Sequence, residues 1–414
     1  MPERKILCID LKSFFAFVEC VDRGLDAFKT PLVVASKSQG NKAMSLAVTP
    51  YLKKKGLKGR MRLYDIPSSI SYFVVNPRMK RYVEVSQKIV NLYLDYVSEE
   101  DLHIYSIDEC FLDVTDYLTY YHKTKTELAQ DILKNIQTKT GLVATCGIGP
   151  NMLLAKLAMD LEAKKSKSNM AYWTYQDIST KLWPIKDLSS FWQIGHRLEK
   201  RLLNMNIHSL YDLAHTPKER LEKNLGKVGL LLQEHANGYD NTIIKEIKES
   251  PQKSIGHSQV LYEDYYNEEC LLIIKEMLSH LGKTLRLKSL ECQSISLFCA
   301  YSKVIGKTFN RHLILDNTTD NEEILFLNFK SLFLKFYEED LPVRKIGISL
   351  GRLKMKMGIQ LDLFYENKVQ DEKMKNVMDS IQEKFGKNSL LYATSLLSYS
   401  NEKEQNEKLG GHHV

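Results

Sequence analysis

The chain has 414 residues, 43% hydrophobic and 26% charged, which is the composition of ordinary globular proteins and long enough for two or three buried cores. A net charge of +7 permits a polyanionic partner without requiring one, and no stretch approaches about 18 apolar residues, which argues against a membrane span. Seven cysteines, odd in number and never two residues apart, fit neither a disulfide framework nor a zinc knuckle; reduced packing thiols in a cytoplasmic protein are expected.

In chain order, Lys5 to Ile9 reads as a short apolar strand ending at Asp10, and Ser13 to Val21 as a helix carrying Phe14, Phe15 and Phe17. An acid at such a strand end is well placed for chemistry. Residues 27 to 80 hold eleven Lys and Arg against the single acid Asp65, a block suited to phosphate contacts or, equally, to a solvated basic face. Helical periodicity follows at Met79 to Tyr96, Glu127 to Thr138 and Met152 to Ala163. Between them Leu102 to Leu112 alternates as a single strand, interrupted by the adjacent acids Asp108 and Glu109. The first 170 residues therefore predict an α/β or α+β arrangement.

From Lys186 to Asp240 the pattern is short and helical, with Gly turns at Gly195 and at Gly226 to Gly229 that suggest paired helix-hairpin-helix units, whose backbone N–H groups approach phosphates. An ordinary helical hairpin explains Gly226 to Gly229 as well. Residues 241 to 252 read as a linker. A second α/β unit follows, with strands at Ser294 to Tyr301 and Lys345 to Leu350 and helices at Glu268 to Leu287 and Glu322 to Tyr337. The last fifty residues read as helix and then a charged, mobile end; His412-His413 is a solvated pair rather than a metal site.

Three carboxylates from distant parts of the chain, Asp10, Asp108 and Glu109, are hard oxygen donors of the kind that a pair of Mg²⁺ ions requires. Taken singly, Asp10 could cap a helix and the acidic pair could end an exposed strand.

The motifs resemble a known family. Asp10-Leu-Lys-Ser-Phe-Phe-Ala-Phe-Val-Glu19 is similar to the DxxxFFAxVE opening of Y-family DNA polymerases, and Tyr105-Ser-Ile-Asp-Glu-Cys-Phe-Leu-Asp113 to their YSIDExFLD motif. Gly147-Ile-Gly-Pro-Asn-Met-Leu-Leu-Ala-Lys156 with Met159-Asp160 resembles their GIGxNKxLAKxAxD helix entry, and the UmuC-like branch of Gram-positive bacteria and their mobile elements is the nearest. The resemblance implies an α+β right-hand polymerase with a ferredoxin-like palm (1–26 and 81–170), small fingers (27–80), a helix-hairpin-helix thumb (171–240), a linker (241–252), an α/β little finger (253–359), and a clamp-binding motif with a tail (360–414). It implies template-directed, low-fidelity translesion synthesis in SOS-type mutagenesis, by a monomer using primed template DNA, dNTPs and two Mg²⁺ ions, with accessory proteins possible. A catalytically inactive clamp-tethered scaffold and a two-metal nuclease are the alternatives.

By residue, the resemblance implies metal ligation by Asp10, Leu11 (carbonyl), Asp108 and Glu109, a steric gate at Phe15, nucleotide contact from Phe14 and Phe15, and triphosphate contacts from Thr49, Lys53 and either Lys164 or Lys165. DNA contacts are implied for Gly195, Gly226, Gly229, Arg344, Lys345 and Arg352. Gln360, Leu361, Leu363 and Phe364 resemble the peptide that bacterial partners insert into the sliding clamp. The chain departs from the common pattern at Lys12, where a second acid is frequent, and at Thr49-Pro-Tyr-Leu-Lys53, where Lys replaces Arg and loses its bidentate fork.

Overall fold

The computed structural model describes residues 3–247, 252–356, 368–409 and 412–413. The chain divides into two compact units, breaking after Lys248. No helix among the described residues is long and apolar enough to cross a membrane, and all seven cysteines are free and buried.

In the first unit, β1 (Ile6–Leu11) runs into α1 (Phe14–Val21) through Ser13, whose left-handed φ of 46° turns the chain at once. A small basic subdomain follows: β2 (Leu32–Val34), β3 (Ala47–Val48), α2 (Pro50–Lys54) and β4 (Phe73–Val75), its sheet ordered β3-β2-β4. Next come α3 (Met79–Leu94), β5 (Leu102–Ile104), β6 (Glu109–Asp113), α4 (Tyr117–Tyr121), α5 (Lys125–Thr140), β7 (Ala144–Gly149), α6 (Met152–Leu157) and β8 (Met170–Tyr172). The main sheet is ordered β5-β6-β1-β7-β8, so β1 lies at its centre and is buried on both faces. Its successive side chains point opposite ways. Leu7 and Ile9 meet Tyr82, Ile89, Leu128 and Ile132 of α3 and α5, whereas Ile6 and Cys8 meet Met152, Ala155 and Met159 at α6. Continuous burial explains why this strand reads as an unbroken apolar run.

Leu102 to Leu112 is not the single strand that its alternation predicts. It is a hairpin: β5 ends at Ile104, and the N–H groups of Tyr105 and Ser106 both donate to the Glu109 carbonyl at 3.0 Å. The acidic pair therefore interrupts no strand: Asp108 lies in the turn and Glu109 begins the returning strand.

The Gly-Ile-Gly of β7 has a steric cause. A Cβ on Gly147 would lie 2.0 Å from the Ala155 carbonyl oxygen, and one on Gly149 would lie 2.4 Å from the Ala155 nitrogen, so only glycine lets α6 sit this close to the sheet. Asn151 caps α6 by accepting from Leu154 N–H at 2.8 Å, while its amide donates to the Gly238 carbonyl at 2.8 Å and fixes the following helices. Those helices are α7 (His196–Asn204), α8 (Leu210–His215), α9 (Lys218–Leu225) and α10 (Lys227–Ala236). The first part of the expected linker packs on this unit, with Ile244 buried and Lys245 paired to Asp101 at 3.3 Å.

The second unit has more strands than its sequence suggests: β9 (Ser254–Tyr265), β10 (Leu290–Tyr301), β11 (Thr308–Thr319) and β12 (Val343–Gly351) form an antiparallel sheet ordered β11-β10-β12-β9, with β13 (Lys354–Met355) on β10. β9 and β11 escape notice because their polar residues give weak alternation. Helices α11 (Asn267–Leu287) and α12 (Glu322–Phe336) share its core, burying Ile273, Met277, Phe329 and Phe333 with Ile295, Leu297 and Ile346.

The expected mobile end is folded through residue 407. Helix α13 (Lys368–Phe385) is tied to α11 by Arg286, which pairs with Asp379 at 2.7 Å and also with Glu322. Beyond it Tyr265 donates to the Tyr399 carbonyl at 3.0 Å, and Glu276 of α11 accepts from the Ser400 hydroxyl and from Asn401 N–H. The charged composition hid this because Asn401 and Glu402 are buried by these contacts rather than by apolar packing. Burial pushes the Glu276 carboxyl up to about 7, with the Ser400 and Asn401 bonds opposing and Glu402 reinforcing. Between roughly pH 4.5 and 7 the folded chain thus holds a proton that the unfolded chain has lost, and stability falls as pH rises through that window. Glu276→Gln is expected to flatten this dependence, a relative gain of roughly 1–3 kcal/mol at pH 7.5. Denaturant melts at pH 5 and pH 7.5 check it, and an identical pH slope in both proteins would reject the assignment.

Candidate active site

The face of β1 that carries Ile6 and Cys8 also carries Asp10, and the pairing register sets Asp10 opposite Glu109 on β6 and Thr145 on β7. Leu11 N–H donates to the Asp108 carbonyl at 2.9 Å, which draws the hairpin turn against the end of β1. Three carboxylates remote in sequence thus gather around one strand end. Asp10 is largely buried, and burial first, then Asp108 and Glu109, push its carboxyl up to about 6 against the pull of Lys164. Asp108 is held by the Ser106 hydroxyl, which donates at 2.7 Å.

Glu109 is 6% exposed and turned towards α6, where Lys156 Nζ meets its Oε2 at 2.6 Å and the Cys8 thiol meets its Oε1 at 3.4 Å. Lys156 is itself buried; against that desolvation, Glu109 and Asp160 hold its pKa above the ordinary lysine value. Asp160 lies on a π-turn, Ala158–Glu162, that continues α6, a deviation common at functional positions. It forms an ion pair with Lys156 at 3.0 Å and accepts from Lys164 at 2.7 Å, and Lys164 reaches Asp10 at 3.3 Å. Among the described residues no three carboxylates, histidines or cysteines yet stand at metal-ligand distance. The donor set nonetheless suits a hard cation: oxygen ligands only, gathered around an Asp10 carboxyl that burial and then its acidic neighbours raise. Lys53 of α2 lies within electrostatic range of the same group; crowding of its ammonium end lowers its pKa while Asp10 opposes the shift.

Phe15 is partly exposed and stacks on Tyr82 of α3, with ring centroids 4.5 Å apart and planes at 20°. Tyr82 donates to Glu19 at 2.8 Å, and the fully buried Glu19 also holds Arg78 at 2.9 Å. The Phe15 ring is therefore braced from behind by a hydrogen-bonded support that spacing alone does not reveal.

Three expectations are corrected. The Phe14 ring is 3% exposed in the core and has no face for a nucleotide. Thr49 is fully buried and donates its hydroxyl to the Thr30 carbonyl at 2.7 Å, so it joins two strand ends rather than contacting phosphate. Gly229 is buried, and a Cβ there would lie 2.8 Å from the Leu221 carbonyl oxygen: it serves the approach of α9 to α10, not of DNA. Arg78, in the basic block, is likewise engaged, with Glu19 and Asp22. By contrast Gly195 and Gly226 begin α7 and α10 with open space where a side chain would be, and Gly226 has a φ of 63° that favours glycine.

In the second unit Lys345 lies over Phe298 at 5.6 Å on the sheet face away from the helices, beside Ser258, Ser296 and Ser349. Arg344 pairs with Asp264 at 3.3 Å, and Arg352 is exposed just past β12 with a φ of 51°. Gln360, Leu361, Leu363 and Phe364 lie outside the described residues.

Residues 9–160 match the impB/mucB/samB family, and residues 252–363 match its C-terminal domain. The chain is 36% identical to the Bacillus subtilis protein named "Putative UV-damage repair protein UvrX", over 99% of this chain and 98% of that one, and 31% identical to DNA polymerase IV 2 of the same organism over the whole of both. The chain belongs to this family, the Y-family polymerases. Among solved structures, a Y-family DNA polymerase chimera of Dbh and Dpo4 superposes with a TM-score of 0.67 at 22% identity, covering 85% of this chain and 99% of the other, and a Dbh ternary complex with a TM-score of 0.54 over the same shares. The fold is thus the right-hand α+β architecture of palm, fingers, thumb and little finger, and this Y-family chain gathers its three carboxylates at the end of β1.

Proposed function

We propose that the chain is a template-directed DNA polymerase that adds dNTPs to a primer 3′-hydroxyl at low fidelity and past damaged bases, in SOS-type damage tolerance in the cytoplasm. The observation that carries this reading is the convergence of Asp10, Asp108 and Glu109 at the end of β1, with Lys53 and Lys164 beside them. We assign residues 1–26 and 81–170 to the palm, 27–80 to the fingers, 171–240 to the thumb and 253–359 to the little finger.

Asp10, the Leu11 carbonyl, Asp108 and Glu109 would hold two Mg²⁺ ions. Bound there, divalent cations supply activation of the primer hydroxyl and neutralisation of the triphosphate and departing pyrophosphate. The chain's own groups do the rest. Lys53 and Lys164 receive the triphosphate, and the Phe15 ring lies under the sugar, where a 2′-hydroxyl would clash. Backbone N–H groups at Gly195 and Gly226 take the DNA backbone. On the open little-finger face Lys345, with Arg344 and Arg352 near its edge, meets phosphates among small polar side chains that allow close approach.

Labelled nucleotide on a primed template with Mg²⁺ separates the readings. Extension supports a polymerase, shortening a two-metal nuclease, and binding without either the inactive scaffold; synthesis opposite an abasic site supports lesion bypass. For Gln360 to Phe364 we propose insertion into the sliding clamp. Deleting these residues is expected to abolish stimulation by the clamp and spare basal extension; equal stimulation of both proteins would remove the motif from that role.

A further inference from the structure

A line of alternating charge runs along the α6 side of the palm sheet. Glu109 is bonded to Lys156, Lys156 to Asp160, Asp160 to Lys164, and Lys164 to Asp10, at 2.6, 3.0, 2.7 and 3.3 Å. The two ends of this line are proposed cation ligands, and each has an oxygen occupied by a lysine. Glu109 has its other oxygen on the Cys8 thiol. A divalent cation that takes these two oxygens must therefore displace an ammonium group from each.

Where those ammonium groups go decides how hard that is. Lys156 is 7% exposed, and a buried ammonium left without an acceptor is strongly unfavourable. Asp160 is the one group among the described residues that these ion pairs place in reach of both lysines, one on each oxygen. We propose that Asp160 is a positioning residue that receives Lys156 and Lys164 when they leave Glu109 and Asp10, and so lets divalent cations in. The inference rests on the reading of Asp10 and Glu109 as metal ligands. Asp160 lies four residues after Lys156 and four before Lys164, the spacing that sets helical neighbours side by side, and it does so on the π-turn Ala158–Glu162.

The test is direct Mn²⁺ binding, followed by the paramagnetic signal of the free ion, to the full chain on a primed template ending in a dideoxynucleotide, so that no chemistry occurs. Asp160→Asn leaves both lysines with only Glu109 and Asp10 as charged partners. Its half-saturating Mn²⁺ concentration is expected to rise about tenfold, the size of a one-unit change in a charge interaction. Lys156→Met alone is expected to bind Mn²⁺ at least as tightly as the wild type, and Asp160→Asn/Lys156→Met to recover to within about threefold of it, because the competing ammonium is gone. Unchanged binding in Asp160→Asn, weaker binding in Lys156→Met, or no recovery in the double variant overturns the inference. Should Asp160→Asn fail to fold, judged by circular dichroism in metal-free buffer, the Lys156→Met result decides alone. A wild type that binds no Mn²⁺ overturns instead the metal-ligand reading beneath it.

Discussion

Asp10→Asn is expected to lower the single-turnover rate of primer extension by about 10³-fold or more while leaving the fold as stable as before, or more so. The substitution keeps the shape of the side chain, removes its charge and turns one acceptor oxygen into a donor. In catalysis that charge is needed, because Asp10 stands at the centre of the carboxylate group. In the metal-free fold the same charge is a burden: burial, with Asp108 and Glu109 nearby, pushes its carboxyl up to about 6. The folded state therefore retains a proton between roughly pH 4 and 6 that the unfolded chain releases, and stability falls with rising pH across that interval. Asparagine has no such penalty. Chemical denaturation without divalent ions, set beside extension rates, tests both halves at once. Rapid extension by the variant would remove Asp10 from the catalytic group, and a large loss of stability would mean that its role is structural. A site that gains activity from a feature that weakens the empty fold is the familiar trade between function and stability.

Phe15→Ala should erode the preference for dNTPs over rNTPs by about 10²-fold or more, chiefly through faster ribonucleotide incorporation, because a steric barrier acts by excluding one substrate rather than by favouring the other. The stacked Tyr82 ring prevents Phe15 from yielding, and the Tyr82 hydroxyl is fixed in turn on buried Glu19. Removing that hydroxyl by Tyr82→Phe is expected to lower discrimination by only a few-fold, since the stack survives and one hydrogen bond of about 1 kcal/mol is lost. Kinetics with paired dNTP and rNTP substrates measure both, and an unchanged ratio in Phe15→Ala would place the gate elsewhere.

Much of the carboxylate cluster was legible from sequence because it depends on strand ends and on acids in unusual places. Asp10 closes an apolar strand, and Asp108-Glu109 is an acidic pair between buried residues. What eluded the sequence depends on contacts made across long separations. Lys156 and Asp160, four residues apart on a helix, look like a common solvated pair; only the register that sets β6 beside β1 under α6 brings Glu109 to that lysine. Thr49 and Gly229 fit the motif logic for phosphate binding, but burial assigns one to a carbonyl and the other to a helix contact. The Leu102 to Leu112 alternation was real on both sides of a turn that periodicity does not register. The charged tail was misjudged for the opposite reason: polar residues there are buried by hydrogen bonds and ion pairs, which a composition cannot display.

That folded tail also changes what the charged end of the chain is for. A chain ended before α13 would strip Arg286 of Asp379, and Glu276 of the Ser400 hydroxyl and the Asn401 N–H. Both groups lie on α11, and a charged or polar group that loses its partners in a buried setting is costly. The end of the chain is thus a closure of the second unit's long helix, and trimming it as a dispensable appendage would weaken that unit.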